Sequence, residues 1–312
     1  MSAPTIPMTG SPGRAVLARF MKHRLAVASA IVLCLLVILS LLAPLIEYML
    51  GLDAEAVDLF ARYAPPSAAH PLGTDELGRD LLSRLLYGGQ VSLFVGLTAT
   101  IVAAFIGTAI GLCAGYAGGR IDAFVMRVTD GVIALPVLPL LIVLAAVDLN
   151  KLGLSDEILG SSNVSLYRIV AIVALVGWTT VARLVRASTL SLKTRPFVLA
   201  ARAQGAGAFR IMLRHILPNL ASPIIVATTL SVGNVILLES VLSFLGLGIQ
   251  PPLPSWGNLL TGAQETIWEA PGLAFYPGLL IFITVIAFNF IGDGLQDALD
   301  PRSRDSRTAA RT

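Results

Sequence analysis

Residues 25–46 read LAVASAIVLCLLVILSLLAPLI, a run of 22 residues without a charged side chain. About 18 or more consecutive apolar residues are enough to cross the hydrocarbon core of a bilayer as a helix. The run is also longer than the apolar core of about 7–15 residues that a cleaved signal peptide carries. We therefore predict a retained first transmembrane helix over residues 25–47. Four basic residues precede it: Arg14, Arg19, Lys22 and Arg24.

The composition of the whole chain agrees with a membrane protein. Apolar residues make up 55% of the 312 residues and charged residues only 13%, and the mean hydropathy is +0.81. Soluble domains carry about 25% charged residues. The net charge of +3 is explained by positive cytoplasmic loops. We therefore expect membrane lipid, and no nucleic acid, among the partners.

Further apolar stretches bring the total to about six transmembrane helices, so we predict an all-α polytopic membrane protein. The uncharged run over residues 85–119 exceeds one span, and we place its helix near residues 91–114, with the rest in a loop or at the interface. The third span, residues 123–147, contains Pro136 and Pro139, and proline kinks a transmembrane helix. The remaining spans are predicted at residues 166–185, from 216 or 221 to 244, and from 276 to 291 or 294.

The distribution of Lys and Arg predicts cytoplasmic N- and C-termini, because inner loops carry an excess of these residues. Seven basic residues lie from Arg183 to Arg214, and none lies between Gly246 and Tyr276. The predicted order is a cytoplasmic tail (1–24), the first helix (25–47), a periplasmic outer segment (48–88), a five-helix core (89–297) with an inner loop (187–219), and a short cytoplasmic tail (298–312).

The sequence contains no pattern typical of catalysis or of metal binding. His23, His70 and His215 lie in different loops, without the spacing of a metal site. No glycine-rich phosphate loop and no G-x-S-x-G motif occurs. We therefore expect no cofactor or metal in this chain and no enzymatic activity of its own.

Two alternatives from other classes are weaker. A secondary transporter driven by an ion gradient predicts inverted repeats and paired acids at the membrane midplane. An intramembrane hydrolase needs a midplane Ser/His, Asp/Asp or metal pair. The acidic residues Asp130, Glu239 and Asp293 are scattered in depth and match neither pattern.

The inner loop 187–219 is the most specific segment. Pro196 is typical of a helix start, and the Ala-rich residues 197–204 predict a short helix. Gly205 ends this helix, and residues 209–217 predict a second one. Such a hairpin exposes small residues flanked by arginines, which suits insertion into a groove on a partner. The alternative is an amphipathic hairpin held to anionic lipid.

The same loop resembles the EAA loop of ABC-importer membrane subunits, whose pattern is Glu-Ala-Ala, three residues, Gly, nine residues and Ile-x-Leu-Pro. Leu199 stands where this pattern has Glu, a departure that concerns one polar contact to the ATPase. His215 stands where it has an aliphatic residue, yet His-Ile-Leu-Pro is typical of the peptide branch. The resemblance assigns to the ATPase-coupling loop Ala200, Ala201, Arg202, Gly205, His215, Leu217 and Pro218.

Three further segments, 70–88, 243–258 and 297–302, resemble C-type peptide permeases. The similarity runs from about residue 15 to residue 302 and is that of the DppC/OppC-type permease subunit of dipeptide and oligopeptide importers. Relatives of this family also carry nickel complexes or glutathione.

The resemblance implies the type I importer (MetI-like) fold in the bacterial inner membrane. It implies four partners: a homologous second permease subunit, two ATPase subunits that bind ATP and Mg, and an extracytoplasmic peptide-binding protein.

Several polar side chains need a role in such a permease. We expect Thr74, Asp75, Gly78, Arg79 and Asp80 to form a structural, salt-bridged turn in the outer segment, with Thr74 as the N-cap of the following helix.

Glu239 and Asn234 are candidates for the translocation path. The alternatives are that Glu239 braces a loop and that Asn234, like Asn289, joins helices. We further expect Trp256 at the headgroup level. Asp130 is expected to pair with Arg127 or Arg183.

Overall fold

The computed structural model describes residues 12–147 and 163–300, so the predicted tail residues 1–11 and 301–312 lie outside it. Within these ranges the chain forms helices and no strand, apart from an isolated bridge between Thr74 and Asp80. The α-helices are α1 (Pro12–Phe20), α2 (Arg24–Leu41), α3 (Ala43–Leu50), α4 (Leu81–Ala117), α5 (Gly119–Ala134), α6 (Val137–Ala145), α7 (Val164–Leu192), α8 (Pro196–Ala203), α9 (Ala208–Ile211), α10 (Leu217–Phe244), α11 (Ala263–Thr266) and α12 (Gly272–Leu299).

Five helical segments are long and apolar enough to cross a membrane: α2, α4, α7, α12 and the continuous segment Ala208–Phe244. Helices α5 and α6 together form a sixth candidate, bent by 88°. Leu141 and Ala145 of α6 pack with Leu166, near the start of α7. The bent pair therefore leads the chain from the end of α4 back toward the end of the bundle where α7 begins. The all-α fold with about six spans is confirmed.

Proline explains the bend in the third span. Leu135 is extended and ends α5, and Pro136 is the N-cap of α6. The residue before a proline is disfavoured in the helical region, because the ring clashes with its backbone. Pro139 lies in the first turn of α6, where a missing N–H leaves no intrahelical bond unmade. The predicted kink is confirmed, and it is sharp enough to break the span.

Helix α4 is longer than predicted. It runs as one helix of 37 residues, about 55 Å at 1.5 Å per residue, so it extends well beyond a hydrocarbon core of about 30 Å. The predicted loop before residue 91 was wrong because Asp80 caps the helix early, its Oδ1 accepting the Ser83 N–H at 2.8 Å. Gly89 lies within this helix, where its missing side chain leaves room for Ser40 Oγ and the Trp256 ring, 2.3 and 3.0 Å from where a Cβ would lie.

Helices α4 and α7 run parallel and pack through a glycine seam on α4, formed by Gly107, Gly111 and Gly115 at four-residue spacing. A Cβ at Gly107 would lie 2.4 Å from the Trp178 carbonyl oxygen, and one at Gly111 would lie 2.4 Å from the Ala182 oxygen. Small residues at this spacing let two transmembrane backbones approach closely enough for extensive van der Waals contact. The seam therefore fixes the distance between the two helices.

The helices bring the basic segments to one end of the bundle. Ala26 near the start of α2 meets Gly294 near the end of α12, and Lys193 Nζ donates to the Gly115 oxygen at 2.7 Å. We call this the basic end, and the end with residues 43–80 and 245–271 the opposite end. The basic end carries Arg14, Arg19, Lys22, Arg24, Arg120, Lys193, Arg195, Arg202, Arg210 and Arg214.

We predict that Gly111→Val disrupts the seam. The valine would overlap the Ala182 carbonyl, and overpacking of this kind costs about 1–3 kcal/mol in unfolding free energy. Gly131→Val is the matched control, because no atom lies within 4 Å of a Cβ at that helical position. The thermal unfolding midpoint in detergent should fall for Gly111→Val alone. Equal midpoints for the two variants would contradict the seam.

Candidate functional site

The hairpin, residues 195–219, connects α7 to α10 at the basic end. Its first helix starts at Pro196, as predicted. The helix ends at Ala203, and Gly205 follows with a φ of +81°, a conformation that glycine adopts without steric cost. The Ala206 N–H donates to the Ala201 oxygen at 3.1 Å, which closes the turn. The predicted break at Gly205 is confirmed.

The hairpin is anchored to the bundle by its apolar side. Val198 and Ile211 are completely buried and pack in one cluster with Leu112 of α4. The Arg202 guanidinium lies over the Tyr116 ring, 5.7 Å from its centre. Because these contacts join both arms of the hairpin to α4, we expect the hairpin and the adjoining ends of these helices to move as one body.

The second arm differs from its prediction as a separate short helix. Helix α9 continues through a π-helical turn, Met212–Ile216, directly into α10. Pro218 has no N–H to donate to the helix, and the wider π-helical turn before it accommodates the missing hydrogen bond. The Asn219 side-chain amide donates to the His215 oxygen at 2.7 Å. The second arm is therefore one continuous helix, and it carries His215, Leu217 and Pro218 without a break.

The exposed face of the hairpin is more apolar than predicted. Ala200 is exposed, but so are Phe209 (71%), Leu199 (49%), Leu213 (44%) and Phe197 (42%). Sequence reasoning emphasised the alanines and missed the aromatic residues. The available signal was that each arm carries more large apolar residues than one buried side can hold.

The outer-segment motif folds around Asp75, which is 2% exposed. Its Oδ1 accepts hydrogen bonds from the Leu77 and Arg79 N–H groups at 2.8 and 3.0 Å. Its Oδ2 lies 2.8 Å from Arg79 Nε and 3.2 Å from Arg84 Nε. The expected Asp75–Arg79 pair is thus present, and Arg84 is a further partner that the sequence did not reveal.

The expectation that Thr74 caps the following helix was wrong, because Asp80 takes that position. Thr74 Oγ1 instead accepts the Ala64 N–H at 2.8 Å, which ties two parts of the segment together. Asp80 Oδ2 also lies 3.2 Å from His70 Nδ1. Gly78 has a φ of +75° and sits so close to the neighbouring backbone that a Cβ would collide with it. These contacts are all internal to the segment.

Two serines, Ser92 and Ser243, contact the fully buried Glu239 carboxyl group of α10, and we call them the serine cluster. Ser243 Oγ donates to Glu239 Oε1 at 2.7 Å, and Ser92 Oγ donates to Oε2 at 3.3 Å. Each serine then accepts a backbone N–H from the loop after α10, Ser243 from Ile249 at 3.0 Å and Ser92 from Trp256 at 3.1 Å. The carboxylate thereby connects this loop to two spans, an arrangement that favours the bracing role.

Trp256 anchors its loop inside the protein rather than by contact with lipid. Its side chain is 1% exposed, and Nε1 donates to the Leu85 oxygen at 2.9 Å. The ring packs beside Gly89, where no side chain is present, and so holds the loop after α10 against α4. Trp268, which is 94% exposed, is the surface tryptophan of the opposite end.

The expected ion pair of Asp130 is replaced by another. Arg186 binds Asp122 through two bonds, Nε to Oδ1 at 2.7 Å and Nη2 to Oδ2 at 2.6 Å. Asp130 is exposed two turns further along α5, away from this contact. The Asp122–Arg186 pair ties α5 to α7 across 64 residues of sequence, and no local pattern signals it.

A central cavity of about 330 Å³ lies between α4, α7 and α10 on one side and α5 and α6 on the other. Asn234 lines it, whereas Glu239 does not. Asn289 does not join helices as expected, since its amide donates to the Val285 oxygen of its own helix. The cavity is lined by polar side chains that sequence reasoning missed, namely Thr100, Thr179, Thr180 and Ser231.

Comparison with known families decides the identity of this bundle. Residues 107–305 match the binding-protein-dependent transport system inner membrane component family, and residues 11–66 match the N-terminal transmembrane domain of oligopeptide transport permease C. The chain belongs to this permease family. It is therefore a multi-pass inner-membrane permease subunit of an ABC importer, and ATP hydrolysis belongs to partner subunits.

Individual permeases are similar along nearly their whole length. The glutathione transport system permease protein GsiD of Pectobacterium atrosepticum is 40% identical over 94% of this chain and 92% of its own. The dipeptide transport system permease protein DppC of Bacillus subtilis is 39% identical over 92% and 84%. The oligopeptide transport system permease protein OppC of the same organism is 36% identical over 92% and 88%.

We predict that Glu239→Ala loosens the loop after α10 in this permease. The serine hydroxyls lose their common acceptor, and a buried polar group left unsatisfied costs about 1–3 kcal/mol. Hydrogen exchange of residues 245–258 should accelerate by about 5- to 150-fold, because the free energy of local opening falls by about 1–3 kcal/mol. Glu239→Gln keeps an acceptor oxygen and should accelerate exchange less.

Glu265→Ala, which removes an exposed carboxylate from the same end, is the control and should leave exchange unchanged. Wild-type exchange rates in Glu239→Ala would show that the carboxylate does not brace the loop.

Proposed function

We propose that this permease imports peptides, delivered by an extracytoplasmic binding protein, through a path that it forms with a homologous second permease subunit. Two ATPase subunits drive the cycle by binding ATP and Mg. The observation that carries the proposal is the hairpin, which combines an exposed apolar face with rigid anchoring to the spans. Family membership supports the same assignment.

The orientation follows from charge. We propose that the basic end, with both termini and the hairpin, faces the cytoplasm, because Lys and Arg are retained on that side. The opposite end, which holds residues 48–80 and the loop after α10, then faces the binding protein. The hairpin is thereby available to ATPase subunits inside the cell.

The hairpin is proposed as the ATPase-coupling element, with Ala200, Arg202 and Gly205 at its turn. Phe209 and Leu199 offer apolar area to a groove on the ATPase, and a helix in a groove is a recurrent mode of docking. Since Leu199 replaces the Glu of the family pattern, the contact at this position is apolar rather than ionic. Closure of the ATPase dimer would push both arms and so tilt α7 and α10 by hinge or shear motion.

The substrates are proposed to be peptides. The relatives compared above are named for glutathione, dipeptides and oligopeptides, at identities of 40%, 39% and 36%. All three kinds of substrate share a peptide backbone, which is the coarsest chemistry common to them. Glutathione is the second candidate on account of the 40% identity of GsiD. A nickel chelate, which the wider family also carries, is the third.

Uptake by the reconstituted importer tests this assignment. Proteoliposomes that contain the permease pair, the ATPase subunits and the binding protein should accumulate labelled dipeptide or oligopeptide only with internal ATP. Competition by unlabelled peptide, glutathione and a nickel chelate identifies the substrate. Uptake that follows an imposed ion gradient without ATP, or ATP hydrolysis by the permease pair alone, would overturn the proposal.

We predict that Phe209→Ala weakens ATPase docking. Truncation of an interface residue that carries binding energy costs more than about 1 kcal/mol, so ATPase co-purification should fall by at least about 5-fold in apparent affinity. Phe60→Ala is the matched control, since Phe60 is fully exposed at the opposite end. Unchanged co-purification of Phe209→Ala would contradict docking at this face.

A further inference from the structure

The central cavity contains a hydrogen-bonding group that the fold leaves unused. Thr100 lies near the middle of α4 and is 2% exposed, yet its Oγ1 has no hydrogen-bond partner anywhere in residues 12–147 or 163–300. Buried hydroxyls are nearly always paired, because an unpaired one costs about 1–3 kcal/mol. Thr100 is among the residues that line the cavity, and because its Oγ1 is covered in the present rotamer, a rotation of the side chain would turn this hydroxyl toward a group that enters.

The neighbouring polar groups differ from Thr100 in how they are paired. Thr179 Oγ1 donates to the Val176 oxygen at 3.2 Å, and Ser231 Oγ donates to the Ala227 oxygen at 2.8 Å, each within its own helix. These hydroxyls can therefore accept a hydrogen bond but have no proton left to donate. Asn234, also on the lining, supplies both a carbonyl oxygen and an NH₂ group.

The cavity wall carries no ionisable side chain among the described residues. The remaining lining is almost entirely aliphatic, including Val132, Leu141 and Val173. A charged group would be poorly stabilised in such surroundings, because burying a charge without a partner is costly. A neutral amide fits better, since it needs one donor and one acceptor, as every peptide unit does.

Size and position agree with a substrate site. About 330 Å³ lies at the lower end of the range of about 300–1,000 Å³ typical of ligand pockets, which are mostly apolar with a few polar groups. The lining residues of α4, α7 and α10 are near the middle of each span. We propose that Thr100 and Asn234 form a subsite that hydrogen-bonds the backbone amide of a peptide in transit, without regard to side-chain charge. This rests on the proposed function as a peptide importer.

The test uses the complete importer in proteoliposomes and three labelled tripeptides, with a neutral, a basic or an acidic central residue. Thr100→Val and Asn234→Leu remove the hydrogen bonds with little change in volume. Each should slow ATP-dependent uptake by about 2- to 10-fold, the value of one neutral hydrogen bond, and equally for the three peptides. Thr100→Ser keeps the hydroxyl and should import all three peptides at the wild-type rate.

Thr228→Val is the matched control on α10, because Thr228 lies outside the cavity lining and bonds the Ile224 oxygen of its own helix. Wild-type uptake in both cavity variants, or a loss confined to one charge class, would overturn the subsite. If Thr100→Val fails to assemble, Asn234→Leu and Thr100→Ser decide. Absence of ATP-dependent uptake in the wild-type importer would instead refute the proposed function itself.

Discussion

The close contact of α4 and α7 determines where the chain between these two helices must run. The glycine seam brings two parallel helices within backbone contact, and parallel neighbours in a membrane require an element that returns the chain between them. Helices α5 and α6 meet this need, bent at Pro136. The bend keeps α5 against the far end of α7, where the Asp122–Arg186 pair holds it. The bent pair also leaves a space beside α4 and α7, and this space is the central cavity.

At the opposite end, polar contacts add to the packing of the Trp256 ring in holding the loops against the bundle. The loop after α10 contributes Ile249 and Trp256 N–H groups, which have no helical partner and would be costly to leave unpaired. The serine cluster accepts them, and its hydroxyls in turn donate hydrogen bonds to the Glu239 carboxyl group. Asp75 serves the same purpose in the preceding segment, where it organises Arg79 and Arg84. Both sites place a carboxylate where several donors converge.

The sequence predicts features that depend on local chemistry. Uncharged runs locate the spans, Pro136 locates the break, and Gly205 locates the turn of the hairpin. It does not predict features that depend on which distant residues meet. The Trp256 ring packs against Gly89 of α4, and these two residues lie 167 positions apart, so no local pattern signals their contact. For the same reason the unpaired hydroxyl of Thr100 has no signature in the sequence.

The hairpin and the cavity are connected through the same two helices. Helix α7 leads into the first arm of the hairpin, and α10 continues from the second through the π-helical turn. These helices also carry cavity-lining residues, Thr179 on α7 and Ser231 on α10. Thr100 lies on α4, which the glycine seam holds against α7. A displacement of the hairpin would therefore be transmitted to helices that line the cavity, which links the proposed ATPase contact to the proposed substrate path.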